Sequence, residues 1–317
     1  MNKRIVWIDW LRSLCMLYII GHWHIRSYVD YDVVYTNIEE HLTTCVLATF
    51  TFLSGYFSFS NRINTYTDVL LYYKRKLLRI YPLFVIACVG MFICGYNTKE
   101  VTIRAILGIG ELSPSFPVTL WYASMLLLFF FLTPYLLFQK NVKARFLTFF
   151  LLEITLYVLS LCINADGRLF FYWIFYYLGI VYKDNPRFRQ LCQHSPSMIA
   201  ISCIFFIILG TFNHRGLNFG TFLCCLSFIF FICNFLRTIM NNAKHDQLSS
   251  IISSSSFCAY LFHRIIYYYM VQYFGLFSRI QLVFNIVLVI AMSWLIQHSY
   301  DYILSFFAKR LNNATDV

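Results

Sequence analysis

The sequence has 317 residues, of which 60% are hydrophobic and 12% are charged. Because soluble proteins carry about 25% charged residues, this composition excludes an ordinary soluble domain and indicates an integral membrane protein. The formal net charge of +11 does not indicate nucleic-acid binding, since most basic residues fall where a membrane topology would put them. The 11 cysteines lack the paired spacing of zinc sites or secreted disulfide domains. We interpret them as buried apolar residues and predict no metal site.

Apolar runs of about 17 to 25 residues, long enough to cross a bilayer, recur along the chain. The first run follows a basic flank and is interrupted by Asp9 and Arg12. No small-residue cleavage site follows it, so we expect a retained span rather than a signal peptide. Because lipid leaves a spanning segment few alternatives to a helix, we predict an all-α polytopic membrane bundle in one domain, 1–317. Its ten predicted spans are 5–25, 42–59, 80–96, 118–138, 145–163, 168–183, 197–213, 217–236, 256–274 and 280–307.

Basic residues are distributed unevenly between the predicted loops. If the N-terminus is cytoplasmic, 17 of the 25 Lys and Arg residues lie in inside loops and termini, and six lie outside. Cytoplasmic segments of membrane proteins are enriched in Lys and Arg. We therefore predict a multi-pass protein of the cell membrane whose two termini and 62–79 loop are cytoplasmic.

The first span contains four ionisable side chains, Asp9, Arg12, His22 and His24, within the stretch IDWLRSLCMLYIIGHWH. Ionisable groups in a span are costly and usually face the bundle interior or a water-filled cavity, which makes them functional candidates. Alternatively, Asp9 and Arg12 form an i,i+3 pair at the membrane interface, and the histidines only end the span.

Five stretches, in this order, resemble the acyltransferase-3 family of membrane O-acyltransferases. They are IDWLR…GHWH at 8–24, TFLSGYF at 51–57, KRKLLRIYP at 74–82, LWY at 120–122 followed by Pro134, and YLFH at 260–263. The resemblance covers nearly the whole chain. It implies an acyl-CoA-dependent enzyme in which Arg12 and a histidine of the first span are catalytic.

The spacing of that arginine and histidine departs from the family pattern. In the family the two residues are usually eleven positions apart, which puts them about 20° apart on a regular helix. Here Trp23 holds that position, and His22 and His24 lie ten and twelve residues after Arg12. Their directions differ from that of Arg12 by roughly 80° and 120°, in opposite senses. A local distortion of the helix could bring either to the required face; the smaller angle favours His22, whereas a family subgroup with WH at this place would favour His24. Both remain candidates for the general base, a role suited to imidazole, or for a residue that briefly carries the acyl group.

The resemblance implies that acetyl-CoA or another acyl-CoA is the donor substrate, with no permanently bound cofactor. Arg75 and Arg79 share a helix face at the predicted cytoplasmic surface and could bind donor phosphates, or they could be positive-inside anchors. Ser54 and Gly55 could admit the thin arm of the donor, or they could serve only close helix packing.

Four further residues are candidate substrate contacts. Asp9 accompanies Arg12, while Trp121 and Tyr122 could stack on a sugar or belong to an interfacial aromatic belt. His263 could contact substrate or form hydrogen bonds within the bundle. The serines at 253–256 are predicted to cap the ninth helix.

Two functions remain open at this point. The first is an O-acyltransferase, and specifically an O-acetyltransferase, acting on a surface polysaccharide, O-antigen, exopolysaccharide or lipid-linked glycan precursor. The second is a transporter or flippase for a glycan or a small polar solute. Transporters often break helices with Gly or Pro near the midplane, whereas most of the 12 Gly and six Pro here lie at span ends, which favours the enzyme. The expected partners are acyl-CoA, the glycan acceptor and the bilayer, without nucleic acid; the sequence indicates no oligomeric state.

Overall fold

The protein is described by a computed structural model over residues 5–31, 34, 36–59, 63–112, 115–192, 196–240 and 247–315, and side chains are described within these ranges except at 191 and 307–315. Both chain ends, 1–4 and 316–317, therefore lie outside the described residues. Within the described part the chain is helical and contains no β-strand; we number twelve α-helices. They are α1 Val6–Tyr18, α2 Asn37–Ser58, α3 Tyr66–Ile93, α4 Lys99–Ile106, α5 Trp121–Leu137, α6 Val142–Cys162, α7 Arg168–Asp184, α8 Pro186–Leu191, α9 Pro196–Phe212, α10 Phe219–Met240, α11 Gln247–Phe274 and α12 Arg279–Thr315.

Each of the ten predicted spans falls on one of the longer helices, so the all-α prediction is confirmed. Four helical segments in the described ranges are long and apolar enough to cross a membrane: Tyr66–Ile93, Val142–Cys162, Phe219–Met240 and Arg279–Phe306. The helices Trp121–Leu137 and Pro196–Phe212 are also apolar but shorter. Ten crossings and cytoplasmic termini stay predictions.

The predicted 62–79 loop is wrong over most of its length, because α3 already begins at Tyr66. Thr65 caps this helix: its hydroxyl accepts a hydrogen bond from the Asp68 amide at 3.2 Å, and the Asp68 carboxylate accepts one from the Thr65 amide at 3.0 Å. Leu, Lys and Arg, which follow in sequence, are good helix formers. A hydropathy scan places the span boundary at the last charged residue, whereas the helix continues beyond it.

The serines at 253–256 do not cap a helix, contrary to prediction, because α11 begins earlier, at Gln247. Their hydroxyls bond to carbonyls of the preceding turn, as Ser255 does with Ile251 at 2.9 Å and Ser256 with Ser253 at 2.8 Å. Serine can satisfy its hydroxyl in this way inside a helix. The run therefore forms part of a buried helix face.

The contacts divide the chain into two compact units, one made of residues 1–33 and 239–317 and the other of residues 34–238. In the larger unit, α2 packs on α7 with their backbones in direct contact at two glycines. A Cβ atom at Gly55 would lie 1.9 Å from the carbonyl oxygen of Tyr176, and one at Gly179 would lie 1.9 Å from that of Phe52. Small residues permit this approach between membrane helices.

The smaller unit consists of α1, α11 and α12. The first turns of α1 contact the 249–256 region of α11, and residues 20–24 contact the 263–267 region, so α1 and α11 run parallel. The short connection 275–278 returns the chain as α12, which packs antiparallel on α11, with the Cys258 thiol 3.2 Å from the Gln297 side-chain oxygen. Segments more than 200 residues apart in sequence thus form one helix pair.

We expect Gly55→Ala and Gly179→Ala each to lower the thermal midpoint of unfolding in detergent, or to prevent accumulation. The added methyl group would meet backbone rather than a movable side chain, and overpacking of a core costs about 1–3 kcal/mol. The control is Gly167→Ala, whose new Cβ would meet only the Phe170 ring at 3.5 Å. Equal midpoints for all three variants would contradict the close packing of α2 on α7.

Candidate active site

One face of α11 is lined by polar side chains at helical spacing. Its members alternate three and four residues apart, which keeps them on one side of the helix, and all are buried: Ser249, Ser253, Ser256, Tyr260, His263 and Tyr267. We call this row the α11 stripe. It faces α1, and the ionisable residues of the first span meet it there.

Asp9 and Arg12 are both engaged by serines of the stripe. The Ser253 hydroxyl donates to the Asp9 carboxylate at 2.7 Å, and the Arg12 guanidinium donates to the Ser256 hydroxyl at 2.9 Å. Ser13 joins the same contact by donating to the backbone carbonyl of Ser249 at 3.2 Å. Charged groups in a span need such partners, and the serine run supplies them.

Beyond Tyr18 the first helix changes its winding. Residues Ile19–His24 form a π-helical segment, followed by a 3-10 turn at Ile25–Tyr28. A π-bulge adds one residue to a helical turn and is frequent at functional sites. A separation of twelve residues across it therefore acts like eleven in a regular helix, which brings His24 to within about 20° of the direction of Arg12.

The contacts of His24 agree with this rotation. Its Nδ1 lies 2.7 Å from Nε2 of His263, the rings are nearly parallel at 7°, and their centroids are 4.8 Å apart. His263 lies seven residues, about two turns, beyond Ser256 on α11. Arg12 and His24 thus contact the same stripe at two places, Ser256 and His263.

His22 is turned towards a different neighbour. Its ring lies within hydrogen-bond distance of the Arg26 guanidinium, which can only donate, and packs on Tyr18 with a centroid separation of 5.1 Å. The Nε2 lone pair of His22 therefore accepts from Arg26. Of the two histidines that the sequence left open, His24 is the one that joins Arg12 at the stripe.

His263, predicted as a substrate contact, lies in the same cluster but is fully buried. One of its ring nitrogens faces backbone carbonyls of its own helix and the other faces His24. The smaller unit therefore brings together Asp9, Arg12, His24 and His263. The remaining predicted site residues belong to the larger unit, which we describe by itself.

Arg75 and Arg79 are exposed on α3, while Lys76 between them turns inward. The Lys76 ammonium donates to the Ser58 hydroxyl at 3.1 Å and lies 4.7 Å from the centre of the Phe130 ring. Sequence reasoning missed Lys76 because its segment was taken as a loop. On a helix, Lys76 follows the buried Tyr72 by four residues and precedes the buried Leu83 by seven, which puts all three on one face.

Ser54 and Gly55 lie on α2 in different surroundings. The Ser54 hydroxyl is half-buried and donates to the Phe50 carbonyl at 2.8 Å. At Gly55, the space that a side chain would need is filled by the backbone of α7. Their part in donor binding stays a prediction, and the position of Gly55 accords with the alternative of close helix packing.

Trp121 and Tyr122 lie at the start of α5. The Arg168 guanidinium lies 3.7 Å from the centre of the Trp121 ring, a cation–π contact. Tyr122 is buried, and its hydroxyl accepts from Thr51 at 3.4 Å. Trp121 is the more accessible of the two, so a saccharide contact would fall on Trp121 beside Arg168.

A buried carboxyl group near this pair was not singled out from the sequence. Glu111 is 3% exposed, and its backbone carbonyl accepts from the Asp166 amide at 2.9 Å, while Asp166 forms an ion pair with Arg168. Burial raises the pKa of the Glu111 carboxyl well above its usual range, and the Asp166 charge raises it further. This upward shift depends on burial and on the neighbouring Asp166, which no sequence pattern reveals.

We expect Ser256→Ala to lower the thermal midpoint, because Arg12 then loses a buried acceptor at a cost of about 1–3 kcal/mol. Ser254→Ala is the matched control, since that hydroxyl donates to Ile251 of its own helix and its loss should cost about 0.5 kcal/mol or less. Differential scanning fluorimetry of the purified proteins measures both. A Ser256→Ala protein as stable as the control would contradict the Arg12 contact.

The sequence profile of the acyltransferase-3 family, described as an acyltransferase domain, matches residues 5–298. No curated protein and no solved structure matches the chain. The matched region spans the first helix, α11 and most of α12, and so includes every residue of the cluster around Arg12 and His24. The chain therefore belongs to the acyltransferase-3 family, and its general activity is that of a membrane acyltransferase.

Proposed function

We propose that the chain transfers an acyl group from acyl-CoA, in the simplest case acetyl-CoA, to a hydroxyl of a cell-surface glycan or of its lipid-linked precursor. One observation carries the proposal: Arg12 and His24 lie on one side of the first helix, against the α11 stripe. A guanidinium suits phosphate or amide groups of the donor, and an imidazole suits the proton of the acceptor.

In this reaction His24 is the general base. The imidazole takes the proton of the acceptor hydroxyl as its oxygen attacks the thioester carbonyl carbon. The new ester C–O bond forms, the C–S bond breaks, and the CoA thiolate takes the proton back from His24. Imidazole suits both transfers because its unperturbed pKa lies near neutrality.

Arg12 binds the donor rather than the reacting atoms. It lies about 15–18 Å from His24 along the helix axis, so the Arg12 side chain cannot contact the reacting atoms beside His24. The phosphopantetheine arm of CoA is long and thin and carries amide groups along its length. Arg12 would contact this arm or its phosphate while the thioester reaches His24.

In the larger unit, taken by itself, the basic residues of α3 are the proposed contacts of acyl-CoA phosphates. Arg75 and Arg79 are exposed and can meet phosphates at the predicted cytoplasmic surface. Lys76 adds an inward cation beside Ser58 and the Phe130 ring. Charge-assisted hydrogen bonds to phosphate are about twice as strong as neutral ones.

The acceptor is proposed to be a saccharide hydroxyl, since surface polysaccharide, O-antigen, exopolysaccharide and lipid-linked precursors share that chemistry. Trp121 beside Arg168 offers an aromatic and a donor group of the kind that binds sugars. The cell membrane is the site where such acceptors and cytoplasmic acyl-CoA can both be reached.

We expect His24→Ala to abolish acylation of surface glycans and His22→Ala to retain most of it. Loss of a general base costs about 100- to 10,000-fold in rate, whereas Nε2 of His22 already accepts from the Arg26 guanidinium. Ester-linked acyl groups per sugar, measured by mass spectrometry on cells with matched protein levels, report the outcome. Loss of activity in His22→Ala with full activity in His24→Ala would reverse the assignment, and full activity in both would refute the mechanism.

We expect the double variant Arg75→Ala/Arg79→Ala to weaken acyl-CoA binding by about 5- to 30-fold, because two exposed charge-assisted contacts worth about 0.5–1 kcal/mol each are removed. Lys143→Ala, which removes an exposed cation from the start of α6, is the control for general loss of charge. Equilibrium binding of labelled acyl-CoA to purified protein measures the effect. Unchanged affinity in the double variant would make these arginines membrane anchors.

A further inference from the structure

The hydrogen bonds of His263 determine which of its ring nitrogens carries the proton. Its Nδ1 lies 2.8 Å from the carbonyl oxygen of Tyr260 and 3.0 Å from that of Ala259. Carbonyl oxygens only accept, so Nδ1 must be the protonated nitrogen. In the neutral ring, Nε2 then carries a lone pair and can only accept.

That lone pair faces His24. The distance of 2.7 Å between Nε2 of His263 and Nδ1 of His24 is too short for stacked rings, whose atoms stay at about 3.5 Å or more. Since the rings are nearly parallel at 7°, the contact is an in-plane hydrogen bond. His24 must donate it from Nδ1, which leaves the lone pair of the neutral His24 ring on Nε2.

Among the described residues, no donor contacts Nε2 of His24, and the residue is half-buried rather than enclosed. This nitrogen is therefore available to a ligand. His22 differs, since its Nε2 already accepts from the Arg26 guanidinium. Both histidines of the first span thus have a lone pair on Nε2, but that of His22 already accepts a hydrogen bond and that of His24 does not.

We propose that His263 is a positioning residue: it holds His24 in the tautomer and orientation that make Nε2 the basic nitrogen, and it stabilises the imidazolium formed during acyl transfer. This inference rests on the proposed function. When Nε2 of His24 takes the acceptor proton, the bond from Nδ1 to His263 becomes charge-assisted and stronger. The backbone carbonyls hold the proton of His263 in place throughout, so His263 itself exchanges no proton.

Aromatic side chains fix the His263 ring. Tyr267 meets it nearly edge-on at 78° with a centroid separation of 6.0 Å, and Tyr260 lies 6.1 Å away. Tyr267 is held in turn by donating its hydroxyl to the Ile20 carbonyl, within the π-helical segment, at 3.1 Å. A supporting shell of this kind keeps a catalytic side chain in its productive geometry.

The test compares His263→Gln with His263→Asn in membranes that contain endogenous glycan, with acetyl-CoA as the varied substrate. The amide end of Gln reaches the position of Nε2 and can accept from His24, whereas Asn reaches only the position of Nδ1. We expect Asn to lower the maximal rate about 100-fold or more, as for lost orientation of a catalytic histidine, with the donor KM changed less than about threefold. Gln should restore the rate to within about tenfold of the wild type.

Ser254→Ala, which removes a hydroxyl that bonds to the Ile251 carbonyl of its own helix, is the structural control and should keep most of the rate. His24→Ala is run alongside: if it is active, the proposed function fails. If His24→Ala is inactive while His263→Asn is active, or if Gln and Asn are equally impaired at matched abundance, only the positioning role is overturned.

Nitrogen-15 spectra of wild-type protein labelled at histidine give a test that needs no variant. We expect the neutral His24 ring to be protonated at Nδ1, and the opposite tautomer would overturn the proposal.

Discussion

The requirement to satisfy ionisable groups inside an apolar, packed helix determines the arrangement of the smaller unit. A lone arginine or aspartate in such a helix is costly, and α1 carries both within one turn. The serine-rich part of α11 supplies their partners, with Ser253 bonded to Asp9 and Ser256 to Arg12. The same contact sets the register of the two helices, and that register brings His263 to His24.

The π-helical segment links this register to catalysis. In a regular helix, the twelve residues from Arg12 to His24 would direct the two side chains to different faces. One extra residue in a single turn corrects the direction without moving the contacts on either side of it. Tyr267 bonds to the segment at Ile20, so the irregular turn is held by the same helix that contacts both Arg12 and His24. The π-helical turn therefore takes up the one extra residue that separates Arg12 from His24 in this sequence.

The sequence sufficed for the helical class, for the approximate place of each apolar helix and for the family, because apolar runs and short motifs are local signals. It did not give the starts of α3 and α11, which lie nine or more residues before the apolar runs. It also identified Arg12 and the histidine pair, since charged residues stand out in an apolar segment. It could not choose between His22 and His24, because the choice depends on a local winding that sequence periodicity assumes to be regular. Nor could it assign Ser253 and Ser256, whose partners on α1 are 244 residues away. Lys76 was missed because an amphipathic extension of the apolar run resembles a loop in hydropathy. The raised pKa of Glu111 depends on burial and on Asp166, which only the fold brings beside it.

Arg12 and His24 are proposed to line one path for a thioester donor, with the reaction at His24. An experimental structure of the protein with a non-hydrolysable acyl-CoA analogue tests this most directly. We expect Arg12 to contact the pantetheine arm or its phosphate, and the carbonyl carbon of the analogue to lie beside Nε2 of His24, close enough that an acceptor hydroxyl oxygen fits within about 3 Å of both. An analogue whose carbonyl lies beside His22, or whose arm runs along another helix without touching Arg12, would contradict the account.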